Sequence, residues 1–188
     1  MNRVLIASLA LGICLPLLAA PAPKEAKNLL VNGSFEEGPE TDVYKALDEG
    51  NKEIKGWIVT RGQIDYIGTH WKSAEGNRSL DLHGSPGIGG VKQSFKTTKG
   101  TKYKVTFSLA VNPNNTKNEK SVCVTAGDEK QTFKASSEGK TEKDMGWETK
   151  TWEFAAVGEE TTLEIYSIET EDNFAGPALD NVSVVEKK

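Results

Sequence analysis

"KYKVTFSLA", residues Lys102 to Ala110, puts Tyr103, Val105, Phe107 and Leu109 on one side of an extended chain and Lys102, Lys104, Thr106 and Ser108 on the other. Strict apolar/polar alternation is the pattern of a strand with one buried face. The same period recurs outward from it. "VCVTA" groups Val122, Val124 and Ala126, leaving Cys123 and Thr125 opposite; "TWEFAA" pairs Trp152 with Phe154; "TTLEIYS" pairs Leu163 with Ile165. Further strands are predicted at Trp57–Thr60, Gln63–Ile67, Ser79–Leu82, Val91–Phe95 and Leu179–Val185. Between them stand "HGSPGIGG", "NPNNTKN", "SSEGKTEKD" and "NFAGP", clusters whose glycine, proline and asparagine content marks turns. The segment Asp42–Lys55 reads as a long loop or a short helix. Roughly ten short strands at this spacing, without a convincing helix, predict an all-β fold: a single antiparallel β-sandwich of jelly-roll type.

The chain has 188 residues, enough for one ordinary domain. Its first stretch has the form of a signal peptide: Arg3 as the positive region, an apolar run from Val4 to Leu18, and small residues at Ala19 and Ala20. The expected division is a leader over 1–20, a short linker over 21–27 and the sandwich over 28–186, with the product secreted or held in the cell envelope. The apolar run is short for a membrane span. Loss of the leader removes Cys14 and leaves Cys123 as a free thiol, so the core must hold without an intrachain disulfide. The formal net charge is −4, and lysines alternate with acids in place of any basic block. That excludes nucleic acid and an anionic membrane surface as partners.

Enzyme motifs mostly fail. "HGSPG" around Ser85 resembles a nucleophile elbow, but His83 stands where the first glycine belongs and no helix pattern follows. His70 and His83 lack zinc-ligand spacing. Acids are abundant without a spacing that selects a glycosidase pair. Glu36 and Asp180 stand apart, because the first and last strands of a jelly roll lie side by side. Two carboxylates brought together repel unless a cation or proton intervenes, and a hard cation such as calcium suits oxygen ligands. The alternative is that both are solvated acids at the sandwich edge. Among the aromatics, Trp152 belongs to the core by its alternation with Phe154, and Trp57 is ambiguous. Trp71 lies in the polar stretch "YIGTHWKSAEGN" with Tyr66 and His70. There it either stacks on a sugar ring or folds back to cap the sandwich.

The blocks "NLLVNGSFEEGP", "GWIVTRGQIDYIG", "GNRSLDLHGSPG", "GVKQSF", "YKVTFSLAVNP", "DMGW" and "GPALDNVSV" occur in this order. Together they resemble the bacterial choice-of-anchor C family, related to the plant cell-wall proteins of domain-of-unknown-function family 642. More distantly, "NGSFE" followed by "GW" is similar to carbohydrate-binding modules of families 4 and 22, within the galactose-binding-like superfamily. The resemblance implies a galactose-binding-like jelly roll with a structural calcium held by Glu36 and Asp180 and by backbone oxygens such as that of Ser34. The plant relatives resemble two such domains in tandem, with more cysteines. The resulting expectation is a monomeric, secreted, non-catalytic protein that binds cell-wall or extracellular polysaccharide. Tyr66, His70 and Trp71 are its candidate ligand contacts on loop chemistry alone. A cell-surface structural or adhesive protein is the alternative, and a glycoside hydrolase the weaker one.

Overall fold

The structure is a computed structural model and describes residues 27–84, 87–114, 118–170 and 174–187. The expected leader, most of the linker and Ser85 lie outside the described residues. Eleven strands occur among the described residues: β1 Tyr44–Asp48, β2 Ile58–Arg61, β3 Gln63–Ile67, β4 Ser79–Asp81, β5 Gly90–Lys96, β6 Lys102–Val111, β7 Glu119–Ala126, β8 Glu129–Ser136, β9 Glu148–Ala155, β10 Glu160–Ser167 and β11 Pro177–Glu186. All pair antiparallel, in a six-stranded sheet of order β1-β3-β4-β11-β6-β9 and a five-stranded sheet of order β2-β5-β10-β7-β8. No helix is found among the described residues. The fold is the all-β sandwich that the alternation predicts.

The core lies between the sheets. Tyr103, Val105, Phe107, Leu109 and Val111 of β6 face Val122, Val124, Leu163 and Ile165 of the other sheet, all buried. Trp57 is buried against Phe35 at 5.2 Å between ring centroids, and Trp152 packs half-buried at the core's margin. Cys123 is free and buried. Asp42–Lys55 is neither helix nor plain loop, since it contains β1, an edge strand in which only Leu47 is buried. Strand β8 is an edge of the five-stranded sheet, and five of its eight residues are exposed.

Strand β11 carries an irregularity that organises the N-terminal segment. Its pairing with β6 shifts register between Asp180 and Ser183, and Asn181 adopts φ 49°. One extra residue in a strand re-phases its side chains, so Leu179 and Val182 both reach the core although they are three apart. Residues 28–33 lie along this bulge: Leu29 N donates to Val184 O at 2.8 Å, and Val182 N donates to Gly33 O at 2.8 Å. The approach leaves no room for a side chain at Gly33, where a Cβ would run into the carbonyl of Val182. The turn that follows places Phe35 (φ 61°) fully in the core.

Gly33→Ala should therefore lower stability by about 1–3 kcal/mol, the usual range for forcing atoms into a filled space. Thermal melting should show a fall of roughly 2–4 °C per kcal/mol. Gly158→Ala, where a Cβ would meet only Glu160 O at 3.8 Å, should leave Tm nearly unchanged. Equal melting of the two variants would refute the close approach.

Candidate functional site: a carboxylate-floored pocket on the outer face

The outer face of the six-stranded sheet follows from register. Ala46 of β1 pairs with Asp65 of β3, Asp65 with Asp81 of β4, Asp81 with Ala178 of β11, and Ala178 with Ala110 of β6. One row across the sheet thus carries three alanines and two aspartates. The next row brings Tyr44, Ile67 and Ser79 together. Small side chains in the first row leave a trough. Ile67, Trp71, Met145, Ala110 and Ala178 close one end as a small apolar cluster, with Trp147 against it. The open end is a pocket of about 490 Å³ lined by Tyr44, Asp65, Asp81, His70, Asn112 and Phe174, among others. Tyr44 and Phe174 are 54% and 73% exposed, so their rings are available at its margin.

The two aspartates differ in their surroundings. Asp81 is buried and accepts from His83 N at 3.0 Å, Gly176 N at 2.9 Å and Asn112 Nδ2 at 2.9 Å. Burial outweighs these donors and pushes its carboxyl up to about 7, with the charge of Asp65 adding to the rise. Asp65 is half-buried, and burial alone raises it to about 6. Gln63 Nε2 donates to Asp48 Oδ1 at 2.6 Å beside them, and His83, fully buried, has its Nε2 2.7 Å from Ser167 Oγ.

Of the sequence-predicted ligand contacts, only His70 lies on the pocket wall. It is half-buried, with its ring 6.0 Å from that of Tyr44 in an edge arrangement. Tyr66 is corrected. It has the parity of Ile64 and points into the core, fully buried, with its hydroxyl donating to Phe35 O at 2.7 Å. Trp71 is corrected too: it is 5% exposed and its indole N–H donates to Ser79 Oγ at 2.9 Å. It therefore caps the trough and offers no face to a sugar. Sequence reasoning missed Tyr44, Asp65, Asp81, Asn112 and Phe174. The parity of Gln63, Asp65 and Ile67 against Ile64 and Tyr66 was the available signal for Asp65.

Glu36 and Asp180 meet at one loop. Asp180 is fully buried; its Oδ2 accepts from Ala74 N at 2.8 Å and Glu75 N at 2.9 Å, and its Oδ1 from Asn181 N at 2.6 Å. The exposed Glu36 accepts on Oε1 from Asn77 N and Arg78 N, both at 2.9 Å. Gly76 (φ 58°) lies against this carboxylate where a Cβ would collide. Burial first, and then the charge of Glu36, pushes Asp180 up to about 7 despite its three donors. Ser34 sits in the adjoining turn, closed by Phe35 N donating to Asn32 O at 3.2 Å. Hard, anionic oxygens carrying excess negative potential fit calcium in kind. Among the described residues no group of three or more His, Cys, Asp or Glu side chains assembles, so such an ion would need main-chain carbonyls as well. Glu37 turns away and pairs with Lys55.

The raised carboxyls set a sign for pH. Asp65, Asp81 and Asp180 hold protons in the native state at pH values where an unfolded aspartate, near 3.9, has lost them. The native state binds more protons across that window, so stability falls as pH rises from about 4 to about 7. Neighbouring Asp48, His70 and His83 stay in place in an Asp65→Asn variant. Its Tm should fall less than that of the parent between pH 5 and pH 7.5. A parent Tm that rises over this range would contradict the burial described.

Residues 28–185 match the family described as "Protein of unknown function (DUF642)". Halomucin of Haloquadratum walsbyi is 31% identical over 165 residues, covering 85% of this chain and 2% of that protein. Protein DUF642 L-GALACTONO-1,4-LACTONE-RESPONSIVE GENE 2 of Arabidopsis thaliana is 27% identical over 190 residues, covering 93% of this chain. The chain spans 50% of that plant relative's length. Among solved structures, TmCBM61 in complex with β-1,4-galactotriose superposes with a TM-score of 0.52 at 15% identity, over 86% of this chain and all of that one. A family 16 carbohydrate-binding module gives 0.51 at 15% identity over 85% of this chain and all of that one. The CBM22-1–CBM22-2 tandem of Paenibacillus barcinonensis Xyn10C gives 0.54 at 18% identity over 90% of this chain and 49% of that one. These likenesses establish the fold shared with carbohydrate-binding modules. The chain belongs to the DUF642 family.

Proposed function

We propose that this chain is a secreted, non-catalytic carbohydrate-binding protein that holds cell-wall or extracellular polysaccharide in the outer-face pocket. The observation that carries the reading is the pairing of exposed Tyr44 and Phe174 rings with a polar floor of Asp65, Asn112, Asn114 and His70. Aromatic faces stack on the apolar side of a sugar ring, while fixed polar groups bond its hydroxyls. The carbohydrate-binding modules that share the fold support the same reading, one of them in complex with β-1,4-galactotriose. Asp81 supports a non-catalytic role, because it is buried and its oxygens are occupied by three donors. Extracellular placement rests on the leader-like N-terminus. No described helix is long and apolar enough to cross a membrane.

In this reading Glu36, Asp180 and the Ser34 carbonyl hold a structural calcium. The ion supplies positive charge beside two carboxylates and takes no part in ligand binding. The residues themselves already tie the 74–78 loop through its amides.

A glycan array probed with the full chain should show specific polysaccharide binding. Tyr44→Ala or Phe174→Ala should weaken it roughly tenfold, the scale of one lost aromatic contact of about 1.4 kcal/mol. A silent array would overturn the proposal and favour the adhesive alternative, and release of reducing ends would favour the hydrolase.

Calcium is tested separately. At about 100 times its Kd it should stabilise the protein by about 2.7 kcal/mol and raise Tm by roughly 5–10 °C. Asp180→Asn should abolish that response. A Tm indifferent to calcium and chelator in the parent would mean that the loop amides alone satisfy both acids.

A further inference from the structure

The charge of the pocket narrows the class of glycan it can hold. Asp65 and Asp81 stand opposite one another on adjacent strands, and the described lining contains neither lysine nor arginine. Lys72 and Lys143 line a separate recess past His70, where Glu142 accompanies them. Asp81 is saturated by backbone and amide donors. Among the described residues Asp65 meets no such donor, and burial raises its carboxyl. An ionised carboxylate only accepts hydrogen bonds, so a ligand that displaces water from the half-buried Asp65 must bring a donor. A second anion placed there would be repelled by both aspartates. A cation would be attracted by them, and by the faces of exposed aromatic rings such as Tyr44.

We propose that the pocket selects a sugar unit bearing a free, protonated amine, such as a deacetylated hexosamine within a polysaccharide, and rejects uronates, with Asp65 as the specificity-determining residue. This deepens the carbohydrate-binding reading and rests on it.

Calorimetric titration of the full chain at pH 7.5 separates the cases. The probes are a glucosamine tetramer, cellotetraose, which carries hydroxyls where the former carries amines, a galacturonate tetramer and tetralysine. The glucosamine tetramer should bind at least about tenfold more tightly than cellotetraose, the preference should shrink with added salt, and galacturonate should give no heat of binding. Asp65→Asn, with a melting curve confirming that it folds, should reduce the preference for the glucosamine tetramer over cellotetraose to about twofold or less, whatever it does to cellotetraose affinity itself.

Equal affinity for amine and hydroxyl tetramers, detectable galacturonate binding, or a preference that survives Asp65→Asn would each overturn the inference. So would tetralysine binding as tightly as the glucosamine tetramer, since that reports net charge alone. If cellotetraose binds and Tyr44→Ala weakens it without any amine preference, this inference fails while the carbohydrate-binding reading stands. If no saccharide binds here or on the array, both fall.

Discussion

The extra residue at Asn181 is the constraint on which the rest depends. A regular β11 would turn Asn181 inward beside Leu179 and send Val182 to the outer face. The bulge instead keeps Leu179, Val182 and Val184 in the core. It also frees the Val182 amide to bond Gly33 rather than a neighbouring strand of the sheet. The N-terminal segment is fastened there without being a strand. Asn28 completes the attachment, its Oδ1 accepting from Val184 N at 2.9 Å and its Nδ2 donating to Val182 O at 3.2 Å. Phe35 can then enter the core beneath Trp57, and its carbonyl receives the Tyr66 hydroxyl.

The same re-phasing positions the outer face. Because the extra residue follows Asp180, Ala178 and Asp180 keep the outward parity that matches Ala110 and Ser108 of β6. Ala178 then extends the low row containing Asp65 and Asp81, while Asp180 reaches the amides of Ala74 and Glu75. That loop leads from Trp71, which caps the trough, to Ser79, which receives the Trp71 indole N–H. Core closure, loop attachment and the floor of the pocket are thus consequences of one local geometry.

Period two made the buried-face strands legible. Gln63–Ile67 matches the expected bounds, and the strand around Val105 extends only two residues beyond Leu109. Two of the four edge strands, β1 and β8, were not legible. In β1 only Leu47 is buried and in β8 only Ala135, so neither carries an alternating apolar stripe. Tyr66 was misplaced because proximity to a polar loop was weighed above its own parity with Ile64. Phe174 and Tyr44 lie far apart in sequence and in stretches without periodicity, and only the folded chain brings both to one pocket. The association of Glu36 with Asp180 followed from chain ends meeting. The amides that separate them belong to a loop about a hundred residues before Asp180, which no spacing announces.

The distribution of acids over the outer face has a common physical logic. A sandwich joined by irregular loops leaves loop amides without ladder partners, and buried N–H groups must find acceptors. Glu36 accepts from residues 77 and 78, Asp180 from 74, 75 and 181, and Asp81 from 83 and 176. Each of these carboxylates stabilises main chain, so its presence requires no ligand. Asp65 breaks the pattern: it stands in the same row as Asp81, raises the cost of ionising it, and is offset by no donor among the described residues. An uncompensated carboxylate opposite another carboxylate destabilises the sheet it sits on. A position with that cost and no structural return is where a group that binds something else is expected.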